Sequence, residues 1–249
     1  MEHPFLLFGA GLVAGAMNAA AGGGSFVSLP ALILAGVPSV AANESSTVAL
    51  FPGAFASAWA YRREFRPFET VSMAAMIGVS LAGGLAGAVL LLVTPARLFD
   101  NLLPWLLLAG SIAFAFGPIA GAWLRRRVHI SRAVFLCSQF LLAIYGGYFG
   151  GAVGIMMMAA WSLLGPADIK AMNAAKTLLV GTTNATAVAC FVALGKIWWA
   201  QTLVMLVAAL IGGYAGASIA RRLPSRATRN GIAAFNFVIT AAFFYMRMR

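Results

Sequence analysis

Gly22-Gly23-Gly24-Ser25 interrupts the apolar run that opens the chain, and Ala41-Ala42-Asn43-Glu44-Ser45-Ser46-Thr47 follows it. The pattern returns 130 positions on. Gly154 stands where Gly24 did, and Ala171-Met172-Asn173-Ala174-Ala175-Lys176-Thr177 repeats the segment around Asn43. Gly83-Gly84-Leu85-Ala86-Gly87 similarly recurs as Gly212-Gly213-Tyr214-Ala215-Gly216. A broken membrane helix present in two copies is how many secondary transporters build a site at the bilayer midplane. The expected organisation is therefore two homologous halves, 1–125 and 126–249, each a glycine-broken helix followed by three longer helices.

Composition sets the environment. The chain is 62% hydrophobic and 9% charged, with a mean hydropathy of +0.91, which excludes an ordinary soluble domain. Crossing a hydrocarbon core takes about 20 apolar residues per helix. Apolar runs at 4–21, 41–61, 68–94, 98–123, 133–153, 169–194, 198–220 and 230–246 meet or approach that length. The fold class is thus all-α, a polytopic membrane helix bundle of about eight segments.

The net charge of +11 does not point to nucleic acid. The cations gather in short connections: Arg62, Arg63 and Arg66; Arg125, Arg126, Arg127 and Arg132; Arg221, Arg222, Arg226 and Arg229. That is the loop pattern of a membrane protein whose Lys and Arg stay cytoplasmic. If every segment crossed once, the third cluster would oppose the other two. The conflict vanishes if the broken element of the second half dips in and returns to its own side. Cys137 and Cys190 lack CxxC spacing and read as buried small apolar residues. The first helix has no basic start or small-residue cleavage site and is expected to remain in the mature protein.

Three consecutive glycines cost a helix roughly 1 kcal/mol each. Unwound backbone in a membrane must be buried in protein or line a wet cavity. Helices that restart at Ser25 and at Ile155 would point free N–H groups and positive dipole ends inward, an anion site without a side-chain charge. Asn43 and Thr47 lie four apart on one helix face, Asn173 and Thr177 repeat this, and Asn184 falls near the same face. Such polar groups also serve helix–helix hydrogen bonding. Glu44 and Lys176 sit about 10 Å into their helices at ~1.5 Å per residue. An embedded charge costs about 3 kcal/mol, and its usual reason is function. Lys176 would attract an anion or snorkel to the headgroups. Glu44 would pair with Lys176, carry a proton, or act as a static helix N-terminal acid.

Other features carry less. Met156, Met157 and Met158 point in different directions on a helix and read as gap-filling. Trp59, Trp105, Trp198 and Trp199 fit interfacial belts. His3 and His129 lie outside the spans, so Ser25 has no activating base and an enzyme is not expected. No His/Cys cluster suggests a metal, no GxxxxGK[ST] loop suggests ATP use, and no cofactor is implied.

The stretch Gly22-Gly23-Gly24-Ser25-Phe26-Val27-Ser28-Leu29-Pro30-Ala31-Leu32 with Gly36-Val37-Pro38 resembles the signature of the TauE/SafE sulfite exporter family. Tyr61-Arg62-Arg63 resembles its basic turn, and Gly147-Tyr148-Phe149-Gly150-Gly151-Ala152-Val153-Gly154 its G-x-x-G-x-G-x-G element, with Ala152 at the middle glycine. Asn173 through Thr177, Asn184 and Gly195-Lys196-Ile197-Trp198 complete the likeness. The resemblance implies a bacterial inner-membrane permease moving sulfite or organosulfonate anions. By position it favours Gly22, Gly23, Gly24, Asn43, Gly150, Gly154, Lys176 and Asn184.

The expectation is a secondary transporter, an exporter of sulfite or a related small oxyanion by alternating access. Its substrate site would use Gly22, Gly23, Gly24, Ser25, Asn43, Thr47, Gly150, Gly154, Asn173, Lys176, Thr177 and Asn184, with Glu44 as coupling candidate. The partners are a small anion and the lipid bilayer, with homo-oligomerisation left open. The alternatives are a non-transporting membrane assembly factor or receptor, and an anion channel.

Overall fold

The computed structural model describes residues 3–20, 22–60, 71–124, 131–161, 169–220 and 225–248. Arg62, Arg63, Arg66, Arg125, Arg126, Arg127, Arg221, Arg222, His129 and the 125/126 boundary fall outside these residues. So do the side chains of Asn173, Trp59, Arg226 and Arg229. The helices are α1 (Pro4–Ala20), α2 (Ser25–Leu34), α3 (Ser39–Ala60), α4 (Met73–Val93), α5 (Ala96–Leu124), α6 (Arg132–Tyr148), α7 (Val153–Trp161), α8 (Ile169–Leu194), α9 (Trp199–Ala220) and α10 (Ser225–Met248). The eight expected segments correspond to the longer helices, and the two breaks split off short α2 and α7.

Both breaks are hairpins. At the end of α1 the Gly22 N–H donates back to the Met17 and Asn18 carbonyls, at 3.1 and 3.2 Å. Gly22 and Gly23 then adopt φ +84° and +90°, a left-handed turn that glycine makes without a Cβ penalty. The chain comes back so closely that a Cβ on Gly24 would overlap the Ala14 carbonyl. The second hairpin turns at Gly150 (φ +78°) and Ala152 (φ +58°). Trp161 Nε1 donates to Gln139 Oε1 at 3.0 Å across 22 residues of sequence, which fixes α7 back along α6. The expected restart at Ile155 is corrected: α7 begins at Val153, because Ala152 rather than Gly154 makes the last left-handed step. Gly154 is therefore the second residue of a helix.

Glycines on the long helices are packing surfaces. An added Cβ at Gly147 would overlap the Gly84 carbonyl, and one at Gly87 the Ile144 carbonyl, so α4 and α6 touch backbone to backbone. Gly15 meets the Ala209 carbonyl, and Gly212 the Leu12 carbonyl, between α1 and α9. Small residues allow this approach where the hydrophobic effect cannot drive association. The contacts also give direction. Gly11 faces Met205, Leu12 faces Gly212 and Ala16 faces Gly216, so α1 and α9 run parallel. Ser80 meets Gln139, Gly83 meets Ala143 and Gly87 meets Tyr148, so α4 and α6 run parallel. Where α8 turns into α9, α3 begins: Lys196 N donates to Glu44 Oε2 at 2.7 Å and Trp198 N to Ser45 Oγ at 3.1 Å. Following these directions, the helix ends that flank 61–70, 125–130 and 221–224 all reach one end of the bundle. The opposition of the arginine clusters disappears because both broken elements return to the side they started from.

Polar side chains are buried in the interior while large apolar ones face outward. Ser28, Asn43, Ser46, Ser80, Gln139 and Asn236 are fully or nearly fully buried, while Val93, Leu194, Leu141 and Tyr214 are exposed. The helical stretches Met73–Val93, Ala96–Gly117, Ala174–Leu194 and Trp199–Gly216 are each long and apolar enough to cross a membrane. One core surrounds α2, including Phe26, Leu29, Leu32, Phe99, Phe149 and Phe191; a second surrounds α7, including Met76, Phe135, Met157, Trp161 and Leu179. The expectation that both cysteines are buried holds for Cys190 only; Cys137 is exposed. An apolar residue of a membrane helix is as much at home against lipid as in the core, so hydrophobicity does not tell these faces apart.

Two outcomes follow from this packing. Gly147→Val should lower stability by about 3 kcal/mol or more, since its side chain has only backbone to displace; detergent thermal melts read this. Ala152→Gly should raise the melting midpoint by relieving about 1–2 kcal/mol of left-handed strain, whereas Gly22→Ala should lower it by a similar amount.

Candidate functional site

The hairpins bring the glycines of both breaks to one place. A cavity of about 80 Å³ is lined by Gly22 and Gly23 from the first break and by Gly150, Ala152, Val153, Gly154 and Ile155 from the second. Asn18 of α1 and Lys176, Thr177 and Val180 of α8 complete it. A single water needs roughly 10–15 Å³ measured in this way, so the space holds several waters or one small ion.

Its chemistry suits an anion. The α2 N-terminus at Gly24 has no side-chain cap; the Phe26 and Val27 N–H groups donate to the Gly23 and Gly24 carbonyls, and the positive end of the helix dipole lies at the first break. The start of α7 lies on the cavity wall itself. Lys176 supplies a full positive charge, and its aliphatic stem lies 3.1 Å from the position of a Gly154 Cβ. The glycine at 154 is thus where the lysine crosses α7. Among the described residues, no carboxylate lines the cavity.

Six of the twelve expected substrate residues meet here: Gly22, Gly23, Gly150, Gly154, Lys176 and Thr177. The others are placed around it. Gly24 and Ser25 form the uncapped start of α2. Asn43 Nδ2 donates to the Tyr148 carbonyl at 2.8 Å, satisfying the last turn of α6 just before the second break. Thr47 Oγ1 donates to the Asn43 carbonyl at 2.9 Å and stands beside Gly150. Asn43 and Thr47 of α3 therefore support the second break, whereas the Thr177 hydroxyl donates to the Ala174 carbonyl of its own helix at 2.9 Å. Asn173 is in the first turns of α8, but its side chain is outside the described residues. Asn184, one turn beyond Val180, keeps a buried Oδ1 without a hydrogen-bond partner.

The expected pairing of Glu44 with Lys176 is corrected. Glu44 meets the backbone at Lys196, next to Gly195, and Lys176 lies about 28 Å back along α8 at ~1.5 Å per residue. Both charges sit shallow in their own helices, but α3 and α8 run in opposite directions, so the two are near opposite ends of the bundle. The Glu44 carboxylate and the Ser45 hydroxyl instead hold the α8–α9 connection. Met157 fills the core around α7, with its sulfur 3.7 Å from Gln139 Nε2. Trp105, Trp198 and Trp199 are exposed.

Asn18 was not foreseen. It stands on the last turn before the glycines, while attention to the stripe after each break passes over the helix that enters it. A polar residue closing an otherwise apolar helix was the available signal.

The family model for the sulfite exporter TauE/SafE matches residues 7–243. A probable membrane transporter protein of Haemophilus influenzae is 30% identical over 243 residues, covering 96% of this chain and 94% of its own. The probable membrane transporter protein ORF9 of a Sinorhizobium species is 29% identical, covering 86% and 82%. The probable membrane transporter protein YfcA of Escherichia coli K12 is 26% identical, covering 98% and 92%. No solved structure matches at a significant level. With its helical bundle and its long apolar helices, the chain is a membrane transporter and belongs to the sulfite exporter TauE/SafE family.

Proposed function

We propose that the cavity between the two breaks binds a small oxyanion, sulfite or an organosulfonate, and that the protein exports it by exposing this site alternately to the two sides. The observation that carries the reading is the convergence of Lys176, the start of α7 and the first glycine break on one cavity that no carboxylate lines among the described residues. A helix N-terminus and a lysine attract the same sign of charge, and both act at full strength where water is scarce. The family match supports a sulfur oxyanion among the anions that fit.

The two halves, 1–125 and 126–249, are proposed to be inverted repeats. Supporting this, α1 packs on α9 as α6 packs on α4, the same pair of positions exchanged between halves. On α5 and α10, Ser111 Oγ lies 3.0 Å from Thr240 Oγ1, where such an axis would pass. Inverted repeats rocking about a fixed midplane site are one physical route to alternating access. The helix ends that flank the arginine-bearing stretches lie at one end of the bundle, which supports that end as the cytoplasmic one in a bacterial inner membrane. Glu44, anchored to the α8–α9 connection, gives proton coupling no geometric support at this site.

Sulfite or a sulfonate should raise the melting midpoint of the purified protein as its concentration passes its Kd, with taurine and chloride as comparisons. Lys176→Ala should weaken that binding by about tenfold or more, the loss expected for a charged partner. No shift with any anion, or an unchanged shift in Lys176→Ala, overturns the anion site. For the orientation, a cysteine placed at Arg63 should be shielded from an impermeant thiol reagent in intact spheroplasts, whereas one at Arg97 should react.

A further inference from the structure

Outside the cavity, one buried group stands out. Asn236 on α10 is fully buried, and among the described residues neither its Nδ2 nor its Oδ1 has a hydrogen-bond partner. Both atoms are free, so the conclusion does not depend on which way the amide is turned. Native proteins rarely bury such a group unpaired, and each case calls for a reason. Hydrophobic packing alone would have favoured leucine here.

Its position supplies one. Asn236 Nδ2 lies 3.8 Å from where a Cβ on Gly23 would be, and Gly23 lines the cavity. Glycine at 23 leaves little between the cavity and the amide. One turn on, Thr240 Oγ1 donates to the Asn236 carbonyl at 2.8 Å, and Ser111 Oγ donates to the Leu107 carbonyl at 2.8 Å. Those hydroxyls are committed to the backbone, which leaves the Asn236 amide as the uncommitted donor on this side. On the same flank, the position of a Gly110 Cβ lies 3.4 Å from Ala152 of the second break. The α5–α10 pair therefore flanks both breaks.

We propose that Asn236 is a second station for the transported oxyanion: its side-chain N–H groups receive the ion across Gly23 after it leaves Lys176. This rests on the anion reading of the cavity and deepens it. A neutral amide suits a station of transit, because an ion must be held firmly enough to enter and weakly enough to leave. A second lysine at this position would trap it.

The test compares wild type with Asn236→Leu and Asn236→Gln, using sulfite as the probe. Three quantities are read: the melting midpoint without anion, the sulfite-induced shift of that midpoint, and sulfite flux in proteoliposomes. Asn236→Leu should melt no lower than wild type, because it removes an unpaired buried amide. It should retain the sulfite-induced shift, which reports Lys176, and lose flux by about tenfold or more. Asn236→Gln should recover part of the flux. Wild-type flux in Asn236→Leu overturns the second station while leaving the cavity site standing. A lowered midpoint in Asn236→Leu, with flux and binding lost together, also overturns it, because the amide is then a structural partner. Wild-type protein that neither binds nor moves sulfite, thiosulfate or sulfoacetate overturns the anion reading itself, and the station with it.

Discussion

Backbone that leaves a helix inside a membrane has no water to turn to, and each unpaired peptide group there costs several kcal/mol. The rest of this structure answers that constraint at two places. Gly22 donates back into the last turn of α1, and Asn43 reaches across from α3 to the Tyr148 carbonyl at the end of α6. Gln139 ties Trp161 to Ser80, so that α7 is held against α6 and α4 by one amide. Beside these bonds, Gly22 and Gly23 of the first break and the start of α7 line a small cavity, and Lys176 lines that same space.

The hairpin geometry sets everything at larger scale. Because α2 and α7 return to the side from which they came, the helix ends that flank 61–70, 125–130 and 221–224 lie at one end of the bundle. Because α2 and α7 are short and folded inward, each becomes the centre of a core; the long helices wrap them and turn apolar faces outward. Glycine serves two separate ends in this arrangement. At 22, 23 and 150 it provides a left-handed backbone; at 84, 87, 147 and 212 it removes a side chain so that helices can touch. Both uses meet at the cavity, where Gly22, Gly23 and Gly150 turn the chain and Gly154 makes room for Lys176.

Polar residues divide in the same manner. Asn43, Thr47, Glu44, Ser45 and Gln139 are spent on holding backbone or neighbouring helices, while Lys176 and Asn18 line the cavity, as does Thr177, whose hydroxyl donates to the Ala174 carbonyl at 2.9 Å. Asn184 and Asn236 are buried with unspent hydrogen-bonding capacity. A transporter site needs groups of the second and third kinds, because a group already paired within the protein has little left to offer a passing ion.

The sequence by itself determined the helical membrane class, since hydropathy and length leave a bilayer few alternatives. It also determined where the first helix breaks, because three adjacent glycines have no other economical use in lipid. The second break was only partly legible: Gly150 pointed to it, but Ala152 took the left-handed turn that a reader assigns to glycine. The tertiary structure decided the partners. Glu44 and Lys176 look alike in depth along their helices, and only the opposite directions of α3 and α8 separate them. Cys137 and Cys190 look alike in hydropathy, and only the packing of α6 turns one outward. Asn236 lies more than 200 residues from Gly23 in sequence and comes beside it through a fold contact that no local pattern records. Periodicity reports which face of a helix is polar; which helix that face meets is fixed by close packing between distant segments.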